Sequence, residues 1–170
     1  TEISHNLFYN IGIPGRKACS VHLDDCASGI KVNGNIFYHG SRSDFGDILL
    51  NGGNNNQINN NIFIKGAHAL WIENPYRKVK HEYDERMEPG GLWFKRLYRE
   101  IDLNSPVWQS KYPELNVYLQ PVDKLPFLEN NTFERNLLIN TTISISDQDL
   151  DTSIFSVDRK STRLNSSHYS

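Results

Sequence analysis

One pattern occurs twice in this chain, as Lys31-Val32-Asn33-Gly34-Asn35-Ile36-Phe37 and, 26 residues later, as Gln57-Ile58-Asn59-Asn60-Asn61-Ile62-Phe63. The two copies align without a gap. An earlier frame, Asn6-Leu7-Phe8-Tyr9, and a later one, Asn136-Leu137-Leu138-Ile139, also place asparagine before three apolar or aromatic residues. The last frame comes 75 residues after Asn61, so the pattern indicates an internal repeat that resumes after an insertion.

Repeats of this length are typical of solenoids, in which a unit buries its apolar face only when a neighbour stacks on it. The apolar runs are short and strand-like, whereas helical repeats need amphipathic runs of ten or more residues. Asparagine suits the corners between strands, because it tolerates left-handed backbone and bonds local backbone groups. Stacked asparagine amides also bond one another. The sequence therefore predicts an all-β fold, a right-handed parallel β-helix (solenoid) with a partly helical insertion between coils.

The predicted coil runs strand, polar corner, strand, asparagine corner, strand. The first strands are expected near 20–23, 47–50 and 68–73, and each ends at polar residues. The segment 74–125 differs: it is charged, and Gly91 to Ile101 has the spacing of a short amphipathic helix. We expect residues 1–157 to form the β-helix fragment, with 74–125 as its insertion. The tail 158–170 has no repeat frame, resembles a translated adapter sequence and is predicted to be non-native or disordered.

Composition excludes several classes of protein. The net charge of −2 is too balanced to indicate a nucleic-acid or membrane partner, and no apolar run approaches the roughly 18 residues of a membrane span. No phosphate-cradling glycine motif follows a strand. The chain starts at Thr1 within a repeat frame, so we expect it to be a fragment of a longer parent protein. We expect that parent to be a monomer.

With the repeat and the stretch Leu23-Asp24-Asp25-Cys26-Ala27-Ser28-Gly29 in view, the chain resembles right-handed parallel β-helix proteins of carbohydrate metabolism. It is most similar to the glycoside hydrolase family 141 group, which includes fucosidase and xylanase activities. One departure is clear: where these relatives commonly place His-Gly-Gly-Arg-Asp, this chain has Asn51-Gly52-Gly53-Asn54-Asn55. Asp24 and Asp25 are therefore the site residues that clearly match the pattern of the family.

Glycoside hydrolysis needs two carboxyl groups that flank the scissile bond. Asp25 and Asp24 are the first candidates for the acid and base roles, and Glu73 on the next coil is a candidate partner. Asp44 and Asp47 in the preceding connection are further candidates. A 26-residue shift places Asp25 beside Asn51, whereas matching Leu23 with Leu50 places Asp24 there, and the sequence leaves both registers open. The Asp pair also suits a structural corner cap or, as a weaker alternative, a Ca²⁺ site.

Five other residues are candidates for substrate binding. His22 and His68 are suited to carry protons or bind hydroxyl groups, and tryptophan rings stack on the apolar faces of sugars. Each also has an ordinary structural role available as a packing residue. The candidates are His22, Asn51, His68, Trp71 and Trp93.

These features lead to one leading hypothesis and two alternatives. The first is a secreted or periplasmic bacterial glycoside hydrolase fragment that acts on a polysaccharide or oligosaccharide without a cofactor. The second is a non-catalytic β-helix module that binds glycans or serves as a scaffold. The third, a polysaccharide lyase, needs a Lys or Arg base beside a Ca²⁺-bound uronate, and the corners carry no such cluster.

Overall fold

A computed structural model of the chain describes residues 1–12, 17–41, 45–74, 80–119, 128–146, 155–157 and 163–164. The chain divides into two compact units. The first comprises Thr1–Asn74 and Phe127–Ser170, and the second comprises Pro75–Pro126. Within the described residues, none of the helices combines the length and apolar character needed to cross a bilayer.

The first unit is built from short strands. In chain order they are β1 (Glu2–Ser4), β2 (Leu7–Tyr9), β3 (Val21–Leu23), β4 (Lys31–Asn33), β5 (Ile36–Tyr38), β6 (Ile48–Asn51), β7 (Gln57–Asn59), β8 (Ile62–Ile64), β9 (Leu70–Glu73), β10 (Asn131–Glu134), β11 (Leu137–Ile139), β12 (Ile143–Ile145), β13 (Phe155–Val157) and β14 (Arg163–Leu164).

These strands form three parallel sheets. Sheet A has the order β1-β4-β7-β10-β13, sheet B the order β14-β11-β8-β5-β2, and sheet C the order β12-β9-β6-β3. Strands that neighbour one another in a sheet thus come from successive repeats. This confirms an all-β unit of stacked parallel strands, and the arrangement is compatible with a parallel β-helix. In the C-terminal tail, β14 pairs with β11. The non-native or disordered character of the tail stays a prediction.

The sequence repeat sets the strand register in sheets A and B. Lys31 pairs with Gln57 in sheet A, and Ile36 pairs with Ile62 in sheet B, so both follow the 26-residue shift. Strands alternate their side chains between two faces. The middle residues of these strands point inward, and those of β2, β5 and β8 in sheet B form a stack of aromatic rings. Ring centroids are 4.8 Å apart for Phe8 and Phe37 and 4.8 Å apart for Phe37 and Phe63.

A ladder of asparagines runs beside this aromatic stack, formed by Asn6, Asn35, Asn61 and Asn136. The Oδ1 atom of Asn61 accepts the backbone N–H of Asn35 at 2.9 Å and its Nδ2 at 3.0 Å. Asn61 in turn donates its backbone N–H and Nδ2 to Asn136 Oδ1, at 2.8 Å and 3.1 Å. Asn35 and Asn61 are fully buried. The ladder therefore satisfies polar groups of each corner through the asparagine of the next repeat.

Replacing Asn61 with alanine should destabilise the protein strongly. The change leaves the buried Asn35 N–H without its acceptor and removes the bond of 2.9 Å from Asn61 Nδ2 to the Val32 carbonyl. At about 1 to 3 kcal/mol for the buried N–H left unpaired and about 1 kcal/mol for the other bond, we expect a loss of about 2 to 4 kcal/mol in urea unfolding. Asn6→Ala at the exposed end of the same ladder is the control and should cost much less. Equal losses in the two variants would contradict this role for the ladder.

A buried carboxyl group lies just before β6. Asp47 has no solvent exposure, and ideal Cβ atoms built on Gly40 and Gly66 would lie 2.8 Å and 2.5 Å from its Oδ1 atom, so glycine is required at both positions. Burial raises the pKa of Asp47 to about 7, although the nearby hydroxyl and N–H of Ser41 act in the opposite direction. Neither carboxylate oxygen has a well-formed hydrogen bond with the described residues. This burial removes Asp47 from the candidates that meet a substrate, while Asp44 lies outside the described residues.

Asp47 should make the stability of the protein fall as the pH rises. The pKa of Asp47 is 3.8 in an ordinary setting and about 7 in the fold, so the folded state binds the proton more tightly than the unfolded state. The stabilisation that this provides is lost as the pH rises from about 4 to about 7. Asp47→Asn removes the titration. A pKa shift contributes about 1.36 kcal/mol for each unit. The free energy of unfolding of the variant, relative to that of the wild type, should therefore rise by up to about 4 kcal/mol between pH values below 4 and above 7. Chemical denaturation of both proteins across this range tests it, and parallel stability curves would contradict it.

The second unit is helical. It contains α1 (Lys80–Met87), α2 (Leu92–Phe94), which continues as a π-helical segment (Lys95–Glu100), α3 (Pro106–Lys111) and a 3-10 helix (Pro113–Leu119). Its packing centres on Tyr83, which is buried and contacts Trp93 edge to face at 5.1 Å between ring centroids. The guanidinium of Arg86 lies 5.4 Å from both rings.

Candidate functional site

The outer face of sheet C carries most of the predicted site residues. Val21 and Leu23 of β3 point into the core, so His22 between them points outward. On β9, Leu70 and Ile72 are buried, and Trp71 and Glu73 alternate with them on the outer face. In the strand register, His22 pairs with Leu49, and Leu49 pairs with Trp71.

A row of polar residues crosses the ends of these strands, and we call Asp24, Asn51 and Glu73 the acid-amide row. Leu23 pairs with Leu50, which brings the next residues, Asp24 and Asn51, side by side, and Asn51 pairs with Glu73. The Nδ2 atom of Asn51 donates to Asp24 Oδ1 at 2.7 Å. The open choice of register is thereby resolved in favour of Asp24, and not Asp25, beside Asn51.

The contacts of Asp24 favour its ionised form. The hydrogen bond from Asn51 is the main reason that the pKa of Asp24 lies below its ordinary value, and partial desolvation acts against it. The backbone N–H of Asp25 and the nearby His22 ring lower the pKa further. His22 Nε2 lies 3.3 Å from Asp24 Oδ1, and both side chains are well exposed. Asp24 is therefore an ionised, solvent-accessible carboxylate at neutral pH.

The other carboxyl group of the row is held by the neighbouring tryptophan. Trp71 Nε1 donates to Glu73 Oε1 at 3.0 Å. The His68 ring packs against Trp71 at 5.3 Å between ring centroids, and His68 Nδ1 lies 2.7 Å from Thr142 Oγ1. The indole thus sits between an imidazole and a carboxyl group on the outer face of sheet C.

The strand spacing fixes the separation along the row. Neighbouring strands lie about 4.8 Å apart, so the main chains at Asp24 and Glu73, two strands apart, are separated by about 9.6 Å. Inverting glycosidases hold their two carboxyl groups about 6.5 to 9.5 Å apart, and retaining enzymes about 5 to 5.5 Å. The main-chain separation of about 9.6 Å is thus close to the upper end of the inverting range and well above the retaining one.

Two predicted residues are not part of this cluster. Asp25 follows Asp24 with a left-handed backbone (φ 48°), and its exposed side chain makes no hydrogen bond or ion pair with the described residues. Trp93 belongs to the helical unit, where it packs against Tyr83. The packing role that the sequence left open for this tryptophan is the one the structure displays.

Two residues near the row were missed by sequence reasoning. The Phe45 ring lies 6.5 Å from the His22 ring, and Lys17 Nζ lies 5.1 Å from the centroid of Phe45. Phe45 lies in an irregular connection, so no periodic signal marks it. Ser146 follows Ile145 as Glu73 follows Ile72, and these isoleucines pair, so the repeat itself extends the row to Ser146. Its buried hydroxyl has no hydrogen-bond partner among the described residues.

The described residues contain no group of three or more His, Cys, Asp and Glu side chains arranged to hold a metal ion. A Ca²⁺ site at the Asp24-Asp25 corner stays a prediction. The chain matches no protein-family model, no curated protein and no solved structure. The resemblance to glycoside hydrolase family 141 therefore gains no support from these comparisons, and the function of the site has to be inferred from its own geometry.

Removing the amide of the row should change the titration of Asp24. Because the Asn51 hydrogen bond is the main factor that lowers the Asp24 pKa, we expect Asn51→Ala to raise that pKa toward its ordinary value of 3.8. Titration of the Asp24 carboxyl carbon by NMR measures the shift. Gln57→Ala, an exposed amide on sheet A, is the control and should leave the Asp24 titration unchanged. An unchanged Asp24 pKa in Asn51→Ala would contradict the contact.

Proposed function

We propose that this protein is a right-handed parallel β-helix that hydrolyses glycosidic bonds of a polysaccharide on the outer face of sheet C. The observation that carries the proposal is the acid-amide row: two carboxyl groups two strands apart on one face, with an aromatic ring beside one of them. A polysaccharide substrate is met outside the cytoplasm, so the same proposal makes the protein a secreted or periplasmic protein of a bacterium.

We assign the two carboxyl groups different roles, one as general base and one as general acid. Asp24, held ionised by Asn51, acts as the general base and removes a proton from water. The water oxygen bonds to the anomeric carbon as the bond from that carbon to the leaving oxygen breaks. Glu73, held by the Trp71 indole, is assigned the acid role and in its protonated form gives a proton to the leaving oxygen. One turnover thus leaves Asp24 protonated and Glu73 ionised, and proton exchange with solvent restores both groups.

The remaining residues of the face position the sugar. Trp71 offers an indole ring to the apolar face of a pyranose, and His68 packs against that ring. Among the described residues, nothing donates to the Oδ1 atom of Asn51, so this oxygen is available to accept a sugar hydroxyl. His22, beside Asp24, is suited to bind a second hydroxyl group.

A glycan-binding role without catalysis is the second candidate, and one observation favours it. Asn51 occupies the position between the two carboxyl groups and already bonds Asp24, while the indole bonds Glu73. Carboxyl groups that are satisfied within the protein suit a binding surface. The two candidates differ in whether a bound glycan is cut.

Hydrolysis should depend on Asp24 and Glu73 and not on Asp25. We expect release of reducing ends from a panel of polysaccharides, with inversion at the anomeric carbon seen by NMR of the first product. Asp24→Asn and Glu73→Gln should each lower kcat/KM by about a hundredfold to ten-thousandfold, the usual contribution of general acid-base groups. Asp25→Asn is the matched control and should stay within a few-fold of the wild type.

Two results would overturn the catalytic proposal. One is full activity in both Asp24→Asn and Glu73→Gln. The other is binding of a glycan without any release of reducing ends, weakened by Trp71→Ala, which would establish the binding role instead. Retention of configuration would exclude the water-mediated role given to Asp24.

A further inference from the structure

A separate groove of about 260 Å³ lies on the outer face of sheet A. It is lined by four amide side chains, two cations and one carboxylate. Its residues come from β1, β4 and β7 and from the corner residues Asn60 and Arg135. None of them belongs to the acid-amide row of sheet C. The groove is slightly smaller than the roughly 300 to 1,000 Å³ of sites for drug-sized ligands, so it suits a ligand of about one sugar ring.

The internal hydrogen bonds of the groove fix how its amides point. Arg135 Nε donates to Asn60 Oδ1 at 2.9 Å, and Asn60 Nδ2 donates to Asn33 Oδ1 at 2.7 Å. A guanidinium has donors only, so the oxygen of Asn60 must face Arg135. The orientation of Asn33 follows from that of Asn60. Both amides are therefore set by a charged donor rather than by an arbitrary choice between oxygen and nitrogen.

The same reasoning applies to the third amide. Asn59 Oδ1 accepts the backbone N–H of Glu134 at 3.1 Å, so the nitrogen of this amide is the group left over. No described residue accepts a hydrogen bond from Asn33 Nδ2 or Asn59 Nδ2. The side-chain oxygens of Asn33 and Asn59 thus accept hydrogen bonds within the protein, whereas their Nδ2 groups are available to donate to a ligand. The groove is therefore rich in donors.

The charges of the groove point in the same direction. Lys31 forms no ion pair within the described part of the chain, and Arg135 has only a long contact of 3.5 Å from Nη1 to Glu134 Oε2. Glu2 is the one carboxylate that lines the groove. Two cations and a surplus of N–H donors favour a ligand that carries acceptors and negative charge.

We propose that the sheet A groove binds a sugar unit that bears an anionic group, with Lys31 and the free amide nitrogens holding the oxyanion. Gln57, which offers both a donor and an acceptor, contacts the hydroxyl groups. This inference does not rest on the hydrolase proposal, because the two sites lie on different sheets. It gives the protein a place to hold an acidic unit of a glycan without cutting it.

An NMR titration of the ¹⁵N-labelled full chain tests the proposal. Glucuronate is the probe, glucose is the neutral sugar of similar size, and acetate is the carboxylate without the sugar. We expect glucuronate to shift the side-chain amide signals of Asn33 and Asn59, with much weaker effects from glucose and acetate. Loss of one charge-assisted hydrogen bond in Lys31→Gln should weaken glucuronate binding about tenfold to a hundredfold.

Two control variants test whether glucuronate binds in this groove. Lys65→Gln removes an exposed lysine at a corner after β8 and should bind glucuronate as the wild type does. Asp24→Asn should also leave the titration unchanged, which keeps the result independent of the sheet C face. Equal shifts with acetate would show an adventitious ion only, and equal shifts with glucose would show no recognition of charge. Either outcome, or no shift with glucuronate, overturns the proposal.

Discussion

The buried asparagine ladder is the constraint on which the rest of the first unit depends. Asn35 and Asn61 are enclosed beside the phenylalanine stack, where an unpaired amide costs about 1 to 3 kcal/mol. The backbone N–H of each finds its acceptor in the asparagine side chain of the next repeat. The ladder thus favours the observed register between repeats, and the aromatic stack shares that register.

Register in turn decides what each outer face presents. A slip of one residue would exchange the inward and outward side chains of a strand and place apolar residues in water. On sheet C, the pairing of Leu23 with Leu50 and of Asn51 with Glu73 aligns two carboxyl groups with an amide between them. On sheet A, the same stacking aligns Asn33 with Asn59 and forms a donor-rich groove. The scaffold therefore creates two chemically distinct surfaces from one repeat.

Much of this was predictable from the sequence, because the repeat is local and periodic. The frames at Asn35 and Asn61 predicted the strands that follow them and the ladder itself. The register at Asp24 was not predictable, because sheets A and B follow a 26-residue shift whereas sheet C follows Leu23 and Leu50, 27 residues apart. A second set of amide contacts, in which Asn56 Oδ1 accepts the Ile30 N–H, also escaped notice. Its partner is a backbone group and leaves no mark in the sequence.

Side-chain contacts between distant segments were the least predictable part of the site. The bond from Trp71 to Glu73 is local, whereas the contact of Phe45 with His22 depends on the path of an irregular connection. Asp47 resembled a candidate acid in the sequence and is instead enclosed, because two glycines from successive coils make room for it. Sequence shows which residue types are present, and the stacking of strands from successive repeats decides which of them meet.

Cysteine cross-linking measures whether Asp24 or Asp25 stands beside Asn51, the register on which the acid-amide row depends. Neighbouring parallel strands lie about 4.8 Å apart, within the Cα separations of about 4.4 to 6.8 Å that a disulfide spans. With Cys19 and Cys26 replaced by serine, the pair Asp24→Cys and Asn51→Cys should oxidise to an intramolecular disulfide, detected by mass spectrometry. The pair Asp25→Cys and Asn51→Cys should remain reduced under the same conditions. Cross-linking of the second pair in preference to the first would place Asp25 beside Asn51 and would contradict the pairing of Leu23 with Leu50.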